Sequence, residues 1–212
     1  MMKKISAVIL TLLIILSVFA GCTRQQTATQ QSDADSAKIK DHFTHITSQH
    51  TLAGSAKKFD TAEAFKNAIN SPGTAAVSYT GEEEIKIKAD TTISKLVAVD
   101  TTGNVSLDTD AESVIVYGAG EKITVNAFTE SFIVSADDVT VNVKNKLGWL
   151  YVEGQNVTVN VKDRNIDMIF ARNTAVTVNN TTNKDITVML VNGAKVTVPG
   201  DSTYSVKDNT IS

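Results

Sequence analysis

Two aspartates eighteen residues apart, Asp167 and Asp185, are the side chains best spaced for acid–base chemistry. On adjacent turns of a repeating fold they would stand about 5 Å apart, the separation used in retaining glycoside hydrolysis. A carboxylate pair also suits Ca2+, and Arg164 and Arg172 lie close in sequence. Against this, no dense acidic cluster surrounds them, the repeat region contains no histidine, and aspartate is common at turn boundaries for local reasons. Asp167 and Asp185 are therefore candidates only, and Asp137-Asp138 reads as a turn. All three histidines fall earlier, at His42, His45 and His50. Imidazoles three apart share a helix face, as a metal site would require. No acid-rich surroundings accompany them, so the sequence assigns no metal ligand and no cofactor.

The elements that must position these groups repeat every 18 residues from Ser113 to about Val191. SVIVYGAGEKITVNAFTE is followed by SFIVSADDVTVNVKNKLG, WLYVEGQNVTVNVKDRNI, DMIFARNTAVTVNNTTNK and DITVMLVNGAKVTVPG. One column reads Val114, Phe132, Leu150, Met168, Ile186; another reads Val116, Val134, Val152, Phe170, Val188. Units this short cannot bury their own apolar face, which is the signature of a solenoid. The register extends backwards: Val105-Ser106-Leu107 precedes Ile123-Thr124-Val125 by 18, and Leu96 and Ala98 precede Val114 and Val116 by 18. Towards the end it loosens to 19 and 20, from Val157 to Val176 and on to Val196.

Each turn holds two strands. In the second, Val-Thr-Val alternation places Val139, Val141, Val157, Val159, Val176, Val178, Val196 and Val198 inside. Three outward columns remain. Ile115, Ile133, Tyr151 and Ile169, flanked by Tyr117 and Trp149, put apolar side chains on the wrong face of a strand. Such a stripe is either covered, by residues 38–58 or a loop, or is a recognition surface whose aromatics stack on sugar rings or anchor a protein. The second column joins Thr124, Thr140, Thr158, Thr177 and Thr197 to Asn126, Asn142, Asn160 and Asn179, a solvated face whose neighbouring amides can bond one another. The third holds the two aspartates.

Upstream, Asp60 or Thr61 caps a helix over residues 61–70 that places Ala62, Phe65, Ala68 and Ile69 on one stripe and stops at Asn70-Ser71-Pro72-Gly73. Residues 38–58 contain Ile39, Phe43, Ile46 and Leu52, spaced loosely enough for a short helix or none. Residues 22–37 are rich in Gln, Thr, Ser and Asp and read as a flexible tether. Residues 1–21 open with Lys3 and Lys4 and continue as an apolar run shorter than the ~20 residues a spanning helix needs.

Two resemblances sharpen this outline. Phe19-Ala20-Gly21-Cys22 resembles the bacterial lipoprotein lipobox, with Phe19 replacing the usual leucine. That resemblance implies cleavage before Cys22, lipid on its sulfur, and an exported, membrane-anchored protein facing the extracellular side or cell wall. The order TAEAFKNAIN, AAVSY, EIKIKA, KLVAVD resembles the entry of pectate-lyase-like right-handed parallel β-helices. It implies an N-terminal helix plugging the open end of the solenoid. A left-handed β-helix would need a small or apolar residue at every sixth place, and Gly120, Asn126, Phe132, Asp138 break that rule.

The expectation is thus an all-β chain: a right-handed parallel β-helix over residues 59–212, about 18 residues per turn, with a capping helix at 61–70. Removing Lys3 and Lys4 takes the net charge from −3 to −5, and no Lys/Arg run appears, so nucleic acid is excluded as a partner. The expected role is non-enzymatic binding, adhesion or scaffolding toward a surface protein or glycan. The alternative is a polysaccharide lyase or hydrolase of the pectate-lyase-like class.

Overall fold

In the computed structural model, residues 33–120, 122–162, 166–172 and 175–212 are described. Residues 1–32, with the signal segment, Cys22 and the first part of the stretch read as tether, lie outside them, as do Arg164 and the side chain of Asp167. The chain forms a β-solenoid of about seven turns built from two parallel sheets. The first sheet runs β1 (Lys57–Phe59), β2 (Ala76–Tyr79), β4 (Ile93–Val99), β6 (Ala111–Val116), β8 (Thr129–Val134), β10 (Leu147–Val152), β12 (Ile166–Ala171), β14 (Ile186–Leu190), β15 (Lys195–Val198). The second runs β3 (Ile85–Ile87), β5 (Val105–Leu107), β7 (Lys122–Val125), β9 (Thr140–Val143), β11 (Val157–Val161), β13 (Val176–Asn180), β16 (Ser202–Ser205), β17 (Thr210–Ile211).

Strands alternate between the sheets, so each turn contributes one strand to each. The inward residues of both merge into one core that includes Val97, Val114, Phe132, Leu150, Ile169 and Val188 from the first sheet. Val105, Ile123, Val141, Val159 and Val178 meet them from the second. Full burial of each such side chain contributes about 1.5–3 kcal/mol. The turns between strands are tight. Asp138 and Asn156 occupy equivalent corners with φ of 55°, which confirms Asp137-Asp138 as a turn, and Asn156 Nδ2 donates to Asp138 Oδ1 at 2.9 Å. A Cβ at Gly154 would collide with the carbonyl oxygen of Ala136 on the turn below.

The columns differ from a strict repeat of 18. That spacing holds from Val114 to Phe132 to Leu150, but Leu147 pairs with Ile166 and Ile169 with Val188, a spacing of 19. The inner columns are therefore Val114–Phe132–Leu150–Ile169–Val188 and Val116–Val134–Val152–Ala171–Leu190, without Met168, Phe170 or Ile186 in the places expected. The slip also removes Ile169 from the outward stripe. Ile169 is fully buried in the core, and Phe170 follows Tyr151 on the outside. At the other end an irregularity between Ile93 and Leu96 pairs Val97 with Val114, so Leu96 and Ala98 face out.

On the second sheet, Thr124 aligns with Asn142, and Lys122 with Thr140, so Thr124 belongs to the asparagine column and Asn126 lies beyond it. Asn160 Nδ2 donates to Asn142 Oδ1 at 3.2 Å and Asn179 Nδ2 to Asn160 Oδ1 at 2.8 Å, so the amides satisfy one another. Thr197 is not in this sheet. It lies in β15, which folds back antiparallel on β14 with Val196 and Val198 buried.

Both ends are closed. Helix α2 (Ala62–Asn70; helix α1 precedes it and follows below) is capped by Thr61, whose Oγ1 accepts from the Ala64 amide. It drives Phe65 and Ile69 into the core as the sequence expects of a plug. Lys95 Nζ donates to the carbonyls of Ala68 and Ser71 at its far end, where a cation complements the exposed carbonyls. At the C-terminal end β15, β16 and β17 turn antiparallel on the last strands, so that each sheet ends in a short strand that offers little for another chain to pair with. A charge at Val159, which is fully buried at mid-solenoid, should abolish this arrangement. Val159→Asp is expected to cost more than about 4 kcal/mol, read as loss of the cooperative thermal transition; a wild-type melting temperature would refute the inside–outside assignment.

Candidate functional site

Helix α1 (Asp33–Gly54) runs 22 residues and takes in the last five residues of the stretch read as tether. Ile39, Phe43, Ile46, His50 and Ala53 recur at alternating steps of four and three, which gives the helix one sheet-facing stripe. That stripe lies on the outer surface of the first sheet. There Ile39, Ile46 and Ala53 form a second core with Leu96, Ala98, Ile115, Ile133, Tyr151, Phe170 and Met189. The outward apolar column is thus a covered face: Ile115 and Ile133 are fully buried and Tyr151 is 3% exposed. Tyr117 and Trp149 remain half-buried at its margins.

Polar groups bind the same seam, and every histidine of the chain takes part. His42 Nδ1 lies 3.2 Å from the Tyr151 hydroxyl, and His45 Nε2 lies 2.8 Å from Ser131 Oγ. His50 bridges two partners, with Nδ1 2.9 Å from the Tyr117 hydroxyl and Nε2 2.6 Å from Glu153 Oε2. Ser113 Oγ donates to Gln49 Oε1 at 2.9 Å. The imidazoles therefore point at solenoid side chains and do not converge on a common point. Among the described residues no cluster of three or more His, Cys, Asp or Glu could hold a metal ion.

Glu153 is the charged centre of the seam. Its side chain is 9% exposed; Oε2 accepts from Ser135 Oγ at 2.7 Å as well as from His50, and Oε1 accepts from Arg172 Nη1 at 2.8 Å. Burial alone would raise its pKa, but the hydrogen bonds from Ser135, His50 and Arg172 outweigh it and hold the carboxyl below its ordinary value. Burial pushes the Tyr151 hydroxyl up to about 12, so it stays protonated. Trp149 stacks on Tyr151 with ring centroids 5.9 Å apart and planes at 15°, and meets the His42 ring at 4.1 Å. Beside it a recess of about 370 Å3 is lined by Glu112, Ser113, Glu130, Ser131, His45 and Gln49.

Glu153 does not stand out in the sequence as a site, and Arg172 does so only as a neighbour of the aspartate pair. The signal was available: Tyr117, Ser135 and Glu153 are spaced at 18, and Arg172 follows at the same 19 that moves the neighbouring strand. The aspartate pair fares differently. Asp185 lies exposed just ahead of β14, and the side chain of Asp167 falls outside the described residues, so the carboxylate pair is not placed.

Fold and seam together define a class: a two-sheet parallel β-solenoid, plugged by one helix and flanked by another docked through histidines. Comparison with protein-family models, curated proteins and solved structures finds no match for this chain.

Removing the charged centre should loosen the flank without touching the solenoid core. Glu153→Ala is expected to lower stability by about 1–3 kcal/mol, since it strands partly buried donors. It should also speed amide exchange in α1 selectively. Unchanged exchange there would show that Glu153 plays no part in docking.

Proposed function

We propose that this chain is a non-enzymatic binding protein, anchored by lipid at Cys22 to the outer side of a cell membrane, with its contact surface at Trp149 and the recess beside it. The observation that carries this reading is the setting of Trp149. It is the chain's one tryptophan, half-buried, and fixed between His42 and Tyr151 at the margin of a polar recess. A large amphipathic ring already held in place loses little entropy on binding, which is why such residues dominate recognition surfaces. Glu112, Glu130, Ser113, Ser131 and Gln49 add the polar contacts that would orient a glycan or a protein loop. Tyr151, Ile133 and Ile169 support the surface from below, since each is buried.

The solenoid and its helical plug support the resemblance to pectate-lyase-like β-helices at the level of architecture. The lyase or hydrolase alternative that this resemblance implies would rest on Asp167 and Asp185, of which Asp185 lies exposed just ahead of β14. The lipobox resemblance supports the anchor. Cys22→Ser is expected to move the protein from the membrane to the soluble fraction, and a variant that stays in the membrane fraction would remove lipidation from the account.

The binding role is tested by a glycan array and a surface-protein capture screen, run beside a product-release assay on acidic polysaccharides. Binding that falls at least about tenfold in Trp149→Ala, the loss of roughly 1.4 kcal/mol expected for an aromatic anchor, with no product released, is the expected result. Unsaturated oligosaccharide products would replace binding with lyase chemistry.

A further inference from the structure

Helix α1 is held on the solenoid by three histidines whose surroundings differ from one end to the other. We propose that α1 is an acid-released latch: His42 and His45 hold its N-terminal half on the sheet while neutral, and the His50–Glu153–Arg172 group keeps its C-terminal end in place as the pivot. The asymmetry is in what each imidazole faces. His42 is packed among Trp149, Tyr151 and Phe170, and among the described residues its hydrogen-bond partner across the seam is the Tyr151 hydroxyl. The charged groups around it are Lys38 and Asp41 on its own helix and Lys195 from β15. His45 faces Ser131 and the Tyr151 ring, with Glu130 and Glu112 at the edge of the recess. Among the described residues only His50 meets a carboxylate directly, and that carboxylate is itself paired with Arg172.

Protonation therefore acts on the N-terminal half, where burial opposes it, while the C-terminal end is held by a carboxylate that stays ionised. Burial lowers the pKa of His42, with His45 and Lys38 adding to the effect and Asp41 opposing it. Burial likewise lowers that of His45 against the pull of Glu130. A histidine with a depressed docked pKa binds fewer protons docked than released, so docking is strongest above the ordinary value of 6.5 and weakens as pH falls below it. Glu153 has the reverse limit. With a pKa held below the ordinary 4.5, it remains ionised as pH falls to that value and keeps its contacts to Ser135 and Arg172. Between pH 6.5 and 4.5 the N-terminal half is released and the C-terminal end is retained. The part uncovered contains Trp149, Tyr151, Phe170 and Met189, a continuous aromatic and apolar surface. Release stands on the seam alone; its consequence, that acid opens this surface to a ligand, rests on the binding role proposed for Trp149.

The test is amide hydrogen exchange and Trp149 fluorescence on the full chain, scanned from above pH 6.5 to just above pH 4.5. The latch predicts that, corrected for intrinsic rates, amides 39–46 speed up as pH falls below the ordinary histidine value of 6.5. Amides 50–54 and strand β10 should stay protected, and Trp149 emission should shift to the red. The double variant His42→Gln, His45→Gln should lose the acid response. Unchanged exchange in wild type, release of both ends together, or an acid response surviving in the double variant would each overturn the latch. Release without any pH dependence of ligand binding would leave the latch intact and remove the binding role of the uncovered surface.

Discussion

Parallel strands stacked at about 4.8 Å leave no freedom between columns: once one residue of a turn is placed, every equivalent residue on the turns above and below is placed with it. The structure depends on that constraint. It makes a continuous core out of turns that could not fold alone, and it makes the outer surface equally regular. A chain with valine and isoleucine on both faces of one sheet must cover the second face. Helix α1 does this, with Ile39, Ile46 and Ala53 set against Ile115, Ile133, Tyr151 and Phe170.

Such a cover is not held by apolar contact alone. The histidines and Gln49 pin the helix at defined heights on the ladder through Ser113, Tyr117, Ser131, Tyr151 and Glu153. Because these partners come from successive turns, the helix is held along its length and cannot slide by one rung without breaking the set. The cost is that the cover contains titratable groups, two of them in surroundings that resist charge. The Asn142–Asn160–Asn179 column on the opposite sheet shows the contrasting solution, in which neutral amides satisfy each other and need no cover.

The solenoid, its plug helix and its inward valines were legible in the sequence because they follow from alternation and a period near 18, both local properties. The extra residue between Leu147 and Ile166 shows in the sequence only as the 19-residue step from Val157 to Val176, and its effect on the first sheet was not read from it. A single inserted residue shifts the later columns by one place, which turned Ile169 from an outward residue into a core one. Helix α1 was half legible. Its stripe of Ile39, Phe43, Ile46 and Ala53 has helical spacing, but His50 fills one of the sheet-facing places, so the stripe looks broken until the Tyr117 and Glu153 partners are known. Glu153 itself could be found only by pairing a tertiary contact with the repeat, since nothing local marks one acid among many.

The central claim is that α1 covers the outer column of the first sheet. Hydroxyl-radical footprinting of the full chain at neutral pH tests it most directly, with Phe128, 38% exposed, as the internal reference. The account predicts strong protection of Tyr151, Phe170, Met189 and Ile46 relative to Phe128. Labelling of Tyr151 and Phe170 at a rate comparable to Phe128 would contradict it.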